Sequence, residues 1–289
     1  MLRLLIPLLA VAHCAGAAPF RFHIDRDSGT WRDAGNRSRL FHGINMVTKE
    51  PPFYPAVLVG NETAGTIAGL KAVGATAVRL GVMMGGLFPH PPQGNQEAVS
   101  PDSAYLAVIK GIVSDLNAAG IWTIIDLHQD VLSPVLCGEG VPSWAVNASE
   151  LQSLPFPEPA AFKNKSLPDP SGSGGWVPSL DCAPRGATKF IGWSEFYMTD
   201  ACGKAFDQVY FGKKAGAAST FERHRDRRVQ GAELVGKGTL YDLFESFWTT
   251  VANTLASQEG VLAYEVLNEP WIGDYVTDPS LLLKSGAAE

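Results

Sequence analysis

Metal and redox signatures are missing from this sequence. It has no His-x-His, His-Glu-x-x-His or Cys-x-x-Cys spacing, so zinc and dithiol chemistry have no support, and no cofactor is expected. A basic surplus is missing too. Against 29 Asp and Glu stand 23 Lys and Arg, a net charge of -6, which excludes the electrostatic footprint of a nucleic-acid partner. Beyond the first 18 residues no run approaches the roughly 20 apolar residues that cross a bilayer. Internal repeats and long low-complexity tracts are absent as well. What remains is ordinary: 289 residues, 46% hydrophobic and 18% charged, with 30 Gly and 20 Pro, the composition of a globular protein. That length suits one large domain or two smaller ones, and a single α/β barrel uses about 250 residues.

Residues 1–18 (MLRLLIPLLAVAHCAGAA) place Arg3 before an apolar run and end in small residues. This is the pattern of a secretory signal peptide, too short for a membrane anchor. Four glycosylation sequons begin at Asn36, Asn61, Asn147 and Asn164, where random placement of nine Asn and 33 Ser and Thr gives about one. A secreted or luminal protein is therefore expected, with residues 19–289 as its mature part. Cysteine is scarce: after removal of Cys14, only Cys137, Cys182 and Cys202 remain. Export permits a disulfide, and Cys182 with Cys202 is marginally preferred among the pairings.

Phe41 to Met46, Ala75 to Leu80, Trp122 to Leu127 and Val261 to Leu267 are short apolar or β-branched runs that read as buried parallel strands. Thr63 to Val73 suits a helix. So does the segment after Ser100-Pro101, where Ser100 offers an N-cap, Leu106, Ile109, Val113 and Leu116 recur at helical spacing, and Gly120 supplies the stop. Leu240, Leu243, Phe244, Phe247, Val251 and Leu255 mark a third helix. The order is βαβαβ, an insertion at about 133–237, then αβ. The insertion holds a Gly-Ser stretch at 171–175 and a basic cluster at 223–228, the latter read as a solvated face.

In a parallel α/β array, side chains beyond the carboxyl ends of the strands converge on one face. Here those positions are Asn45 and Lys49, then Arg79, then Asp126, His128 and Asp130, then Asn268, Glu269 and Trp271. A lone buried Arg such as Arg79 is most often a structural ion-pair partner, but beside a carboxylate from a neighbouring strand it can orient that carboxylate. Asp126, His128 and Asp130 could be read as a ligand set, but the spacing is a weak metal signal, and a structural histidine is as good a reading of His128 as a substrate contact. Asn268-Glu269-Pro270 after a buried strand points to carbohydrate chemistry, since glycoside hydrolysis needs a carboxylic acid beside the leaving oxygen. Trp271, and Trp144 in the insertion, offer faces on which a sugar could stack.

The segments FHGINMVTKEPP (41–52), AVRLGV (77–82), DLHQD (126–130), YEVLNEPW (264–271) and DPSLLL (278–283) resemble the endoglycoceramidase-type members of glycoside hydrolase family 5 over about residues 40–285. The resemblance implies an α/β fold, the (β/α)8 TIM barrel, and retaining hydrolysis of the bond between oligosaccharide and ceramide in glycosphingolipids. It assigns Glu269 as acid/base, places Lys49, Asp126, His128, Asp130 and Asn268 against sugar hydroxyls, and has Arg79 support the catalytic carboxylates. The implied partners are a glycosphingolipid or oligosaccharide substrate and peripheral contact with a lipid surface. The family nucleophile, a Glu on the seventh strand, has no counterpart: only four barrel strands are counted, and the last Glu after Glu269 is Glu289. The likeness is thus to the front half of a barrel truncated after its fourth strand, and hydrolysis by this stretch alone is not expected. A non-catalytic carbohydrate- or glycolipid-binding protein and a polysaccharide-directed endoglucanase are the rival readings.

Overall fold

In a computed structural model, the described residues are 22–92, 99–146, 197, 200–211, 239–274 and 280. The signal-like segment, the sequons at Asn147 and Asn164, Cys182, the Gly-Ser stretch and the basic cluster lie outside them.

The chain opens with an antiparallel meander that composition did not announce: β1 (Phe22–Ile24), β2 (Trp31–Asp33) and β3 (Ser38–Arg39). These strands are too short to show a period of two. Side-chain turns build them. Asp33 accepts hydrogen bonds from the backbone N–H of Gly35 and Arg37 and from the guanidinium groups of Arg37 and Arg39. Those donors, backbone ones foremost, hold the Asp33 carboxyl far below the usual carboxylate range. Phe22, Phe41 and Trp31 then stack edge to face, and Phe22 does the same with Trp122, its ring centroid 4.8 Å away.

Next comes a parallel sheet in the order β4-β5-β6-β7: β4 (Gly43–Met46), β5 (Ala77–Val82), β6 (Trp122–Leu127) and β7 (Val261–Glu265). Only β6 has its expected bounds. β4 starts late because the His42 carbonyl is taken by the N–H groups of Thr76 and Ala77. β5 starts late because Ala75 still donates to Leu70 at the helix end, and it runs on to pair Val82 with Leu127. β7 ends at Glu265, since the Val266 carbonyl turns to the indole of Trp248.

Five α-helices are described along their length: α1 (Thr63–Ala72), α2 (Met84–Leu87), α3 (Ser103–Ala118), α4 (Asp200–Phe211) and α5 (Leu240–Leu255). None is long and apolar enough to cross a membrane. The cap of α3 corrects the expectation at Ser100: Asp102 is the N-cap, its carboxylate accepting from the N–H groups of Ala104 and Tyr105 at 2.8 and 3.0 Å. Pro101 therefore precedes the helix. Gly120, at φ +79°, ends it as expected. α5 begins with a reciprocal capping box between Thr239 and Asp242 and buries Leu240, Leu243, Phe247, Val251 and Leu255. α4 lies in the insertion and packs against α5.

The cysteine expectation is also corrected. Cys202 is a reduced thiol buried on α4 beside Ala201, Ala205 and Phe206, and Cys137 is the disulfide-bonded one, its partner outside the described residues.

Alternation along the sheet sets its two faces. Val78, Leu80, Val82, Ile125 and Leu127 are buried in the main core with the helices. Arg79, Ile124 and Glu265 take the opposite face, which is less buried. Among the described residues β4 and β7 each pair on one side only, and Ile44 and Tyr264 on these edge strands are 44% and 41% exposed.

Candidate active site

The strand ends converge as parallel topology requires. Asp126 is wholly buried at the end of β6 and is registered opposite Glu265 of β7. Arg79 of β5 reaches across both. Its Nε and one terminal nitrogen meet the two Glu265 oxygens at 2.5 and 2.7 Å, and that nitrogen also donates to Asn268 Oδ1 at 2.8 Å and lies 3.1 Å from Asp126 Oδ2. The fork to Glu265 is the leading cause of the raised Arg79 pKa. No Arg79–Glu269 contact is found among the described residues, so Arg79 supports the site through Glu265, Asp126 and Asn268.

His128 donates through Nδ1 to Asp126 Oδ2 at 2.8 Å, while its Nε2 lies 3.5 Å from Asp130 Oδ2. Burial opposes its charge, but the two aspartates win and lift it to about 9, so the ring is an imidazolium at neutral pH. Lys49, on the loop after β4, pairs with Asp130 and with Glu139, the latter at 2.8 Å. Burial disfavours its ammonium, yet hydrogen bonds to both carboxylates raise its pKa. The loop is held in place by the Tyr105 hydroxyl, which donates to the Phe53 carbonyl at 3.1 Å.

Glu139 carries no signal of its own in the sequence. It arrives by a backbone bridge, in which Asp130 and Glu139 exchange N–H···O bonds of 3.1 and 2.8 Å. Burial first, then the neighbouring Asp130, raises its carboxyl to about 7, while Asp130 is held low by His128, Glu139 and Lys49 against the opposing effect of burial. His128, Asp130 and Glu139 put one donor atom each within 4.8 Å of one another, a spacing that would suit a cation. In this chain the Lys49 ammonium supplies positive charge to both carboxylates.

Asn268 is buried, and its Nδ2 donates to the Gln129 carbonyl at 2.8 Å and to Asp130 Oδ1 at 3.3 Å. With Oδ1 taken by Arg79, the amide acts as a bracket between strand ends. Gln129 was also passed over in the sequence, although it sits inside the DLHQD segment. It is 1% exposed and reaches the Asn268 and Glu269 carbonyls. Glu269 itself is exposed at the mouth, with φ +41°. Trp271 is half-buried rather than displayed: Tyr197 packs on its ring at 5.5 Å, and the Tyr210 hydroxyl donates to its carbonyl. The Trp144 indole donates to the Phe88 carbonyl and packs on the core.

Comparison with known proteins fits this arrangement. The family model described as cellulase (glycosyl hydrolase family 5) matches residues 38–164. The chain is 32% identical to an endoglycoceramidase of Cyanea nozakii over 89% of its own length and 43% of that protein's. It is likewise 32% identical to an endoglycoceramidase of Hydra vulgaris over 87% and 41%. A solved structure of endo-glycoceramidase II from a Rhodococcus species in complex with ganglioside GM3 aligns over 86% of this chain and 44% of that one, with TM-score 0.53 and 18% identity. The chain therefore spans under half the length of these relatives. Residues 38–164 thus match glycoside hydrolase family 5, the chain is similar in sequence to endoglycoceramidases, and its four-stranded parallel sheet is part of a TIM-barrel fold.

Proposed function

We propose that this chain supplies the acid/base half of a secreted or luminal, retaining glycoside hydrolase that cleaves between oligosaccharide and ceramide in glycosphingolipids. The observation that carries the reading is the convergence of Lys49, Asp130, His128 and the Asn268-Glu269 pair at the carboxyl ends of β4, β6 and β7. The relatives named endoglycoceramidase at 32% identity support the substrate class. Glu269 stands where it can protonate the leaving glycosidic oxygen and then deprotonate water. Lys49 and His128 offer cationic donors, and Asp130 an acceptor, to sugar hydroxyls. Retaining hydrolysis also needs a second carboxylate about 5–5.5 Å from the first. That nucleophile is proposed to come from sequence beyond the segment described, so the isolated segment would bind without turnover. The signal-like residues 1–18 and exposed Asn36 and Asn61 support export with glycosylation.

The test is hydrolysis of a ganglioside and of a cello-oligosaccharide by the longest natural product of the gene. Ganglioside cleavage that falls about 10²–10⁴-fold in Glu269→Gln supports the reading. Cleavage of the cello-oligosaccharide alone would move the protein to the polysaccharide-directed class. Glycolipid binding without cleavage by that product would favour a carbohydrate-binding role, and an unchanged rate in Glu269→Gln would remove Glu269 from the chemistry.

A further inference from the structure

Glu269 is a non-glycine residue in the left-handed region, at φ +41°. Such a conformation persists only where its surroundings over-determine it. Its side chain is exposed, so the constraint falls on the backbone. In an extended strand, successive carbonyls point in opposite directions. Here the carbonyls of Asn268 and Glu269 converge on one nitrogen, Gln129 Nε2, at 2.5 and 3.1 Å. Two consecutive carbonyls can share a donor only if the residue between the peptides leaves the extended region. Pro270 disfavours the right-handed helical region for the residue before it, and a left-handed turn at Glu269 is the solution adopted.

The Gln129 amide is itself fixed. Its Oε1 accepts from the Leu132 N–H at 2.7 Å, so the orientation of the group is set by a donor on one side and two acceptors on the other. The Tyr197 hydroxyl is 3.3 Å from Nε2. Its main chain is gripped in return, because Asn268 Nδ2 donates to the Gln129 carbonyl. A Cβ on Gly140 would lie 2.5 Å from Gln129 Cβ, so the facing loop is packed hard against this side chain.

We propose that Gln129 is a positioning residue for the acid/base carboxyl: by drawing the two carbonyls together it imposes the turn at Glu269 and so sets the direction in which the carboxyl leaves the chain. This rests on Glu269 being the acid/base of the proposed function. Gln129 touches neither substrate nor the reacting atoms. Its effect falls on the two steps in which that carboxyl gives or takes a proton.

Gln129→Met keeps the length and removes the donor, and Gln129→Glu turns the donor into an oxygen facing two carbonyls. Both are measured in the longest natural product on two substrates with the same sugar, a glycolipid and a glycosyl fluoride whose leaving group needs no proton. Expected is a fall in kcat/KM on the glycolipid of about 10²-fold, the scale of a 1 Å misplacement, with kcat/KM on the fluoride retained, because that ratio reports the glycosylation step and not the base-assisted hydrolysis that both substrates share. Parallel loss on both substrates, or no loss on the glycolipid, overturns the proposal. Glu269→Gln on the same pair checks the acid/base assignment separately: if its kcat/KM falls on both substrates or on neither, that assignment falls. The positioning claim is then decided without activity by the Cα–Hα one-bond coupling of Glu269 in the chain itself. A left-handed value in wild type that turns extended in Gln129→Met supports it, and a value unchanged by the substitution overturns it.

Discussion

Replacing Arg79 by Met tests whether the site is held by one guanidinium. The Asp126 carboxylate has no exposed surface and keeps the His128 Nδ1 bond in the variant, so it loses part of its compensation and not all of it. Breaking a buried ion pair outright costs about 3–5 kcal/mol, and half of that is about 2 kcal/mol. The buried Oδ1 of Asn268 also loses the donor that the guanidinium supplies, which adds about 1–2 kcal/mol. Glu265 contributes little, because its side chain is 37% exposed and returns to water. The expected loss is about 3–4 kcal/mol. With a urea slope of about 3 kcal/mol/M, the unfolding midpoint falls by about 1 M. Circular dichroism and tryptophan fluorescence in urea measure it, with Glu265→Gln as the control at under about 1 kcal/mol. A loss below about 1 kcal/mol in Arg79→Met, or an equal loss in Glu265→Gln, would show that the bracket does not organise the strand ends.

Alanine at Gly138 would set its Cβ 1.9 Å from the Asp130 carbonyl oxygen. The bridge that delivers Glu139 must then open, and glycan affinity measured by calorimetry should fall about tenfold or more as Lys49 loses a partner. His128 binds its proton more tightly when folded, at about 9 against 6.5. Its stabilisation is therefore complete below pH 6.5 and lost as pH rises through 9, a slope approaching about 1.4 kcal/mol per pH unit in that window. Urea midpoints between pH 7.5 and 9 should show the slope in wild type and lose it in His128→Asn. Asp102→Ala removes the acceptor for two N–H groups at the start of α3, and about 1 kcal/mol should appear in thermal unfolding.

Much of the fold was legible because β5, β6, α3 and α5 each carry a full period of buried residues, as in Ile109, Val113 and Leu116 or Leu243, Phe247 and Val251. Strand ends proved harder, since a ladder stops where a carbonyl finds another donor, as Val266 does in Trp248. Lys49 and Glu269 could be proposed from the sequence because each residue type can carry the chemistry by itself. Glu139 and Gln129 could not. One reaches the site through a backbone bridge from a loop, the other acts through main-chain carbonyls, and neither arrangement leaves a spacing to read. Glu265 went unread for a related reason: its partner Arg79 lies 186 positions away in the chain.

The Phe22–Trp122 contact has a consequence for the order of assembly. The meander that carries Phe22 is made of local turns and can form as soon as it emerges. Its aromatic face has no seat until Trp122 follows, some hundred residues later. At about 5–20 residues per second of synthesis, that is a wait of about 5–20 s with Phe22, Trp31 and Phe41 uncovered. Arg32, Arg37 and Arg39 lie near those rings in the sequence and pair with Asp25 and Asp33, supplying flanking charges of the kind that protect exposed strands prone to wrong pairing. The N-terminal meander is thus a floor laid early and seated late, and β6, which supplies Trp122 at one end and Asp126 at the other, completes the floor and begins the candidate active face in a single strand.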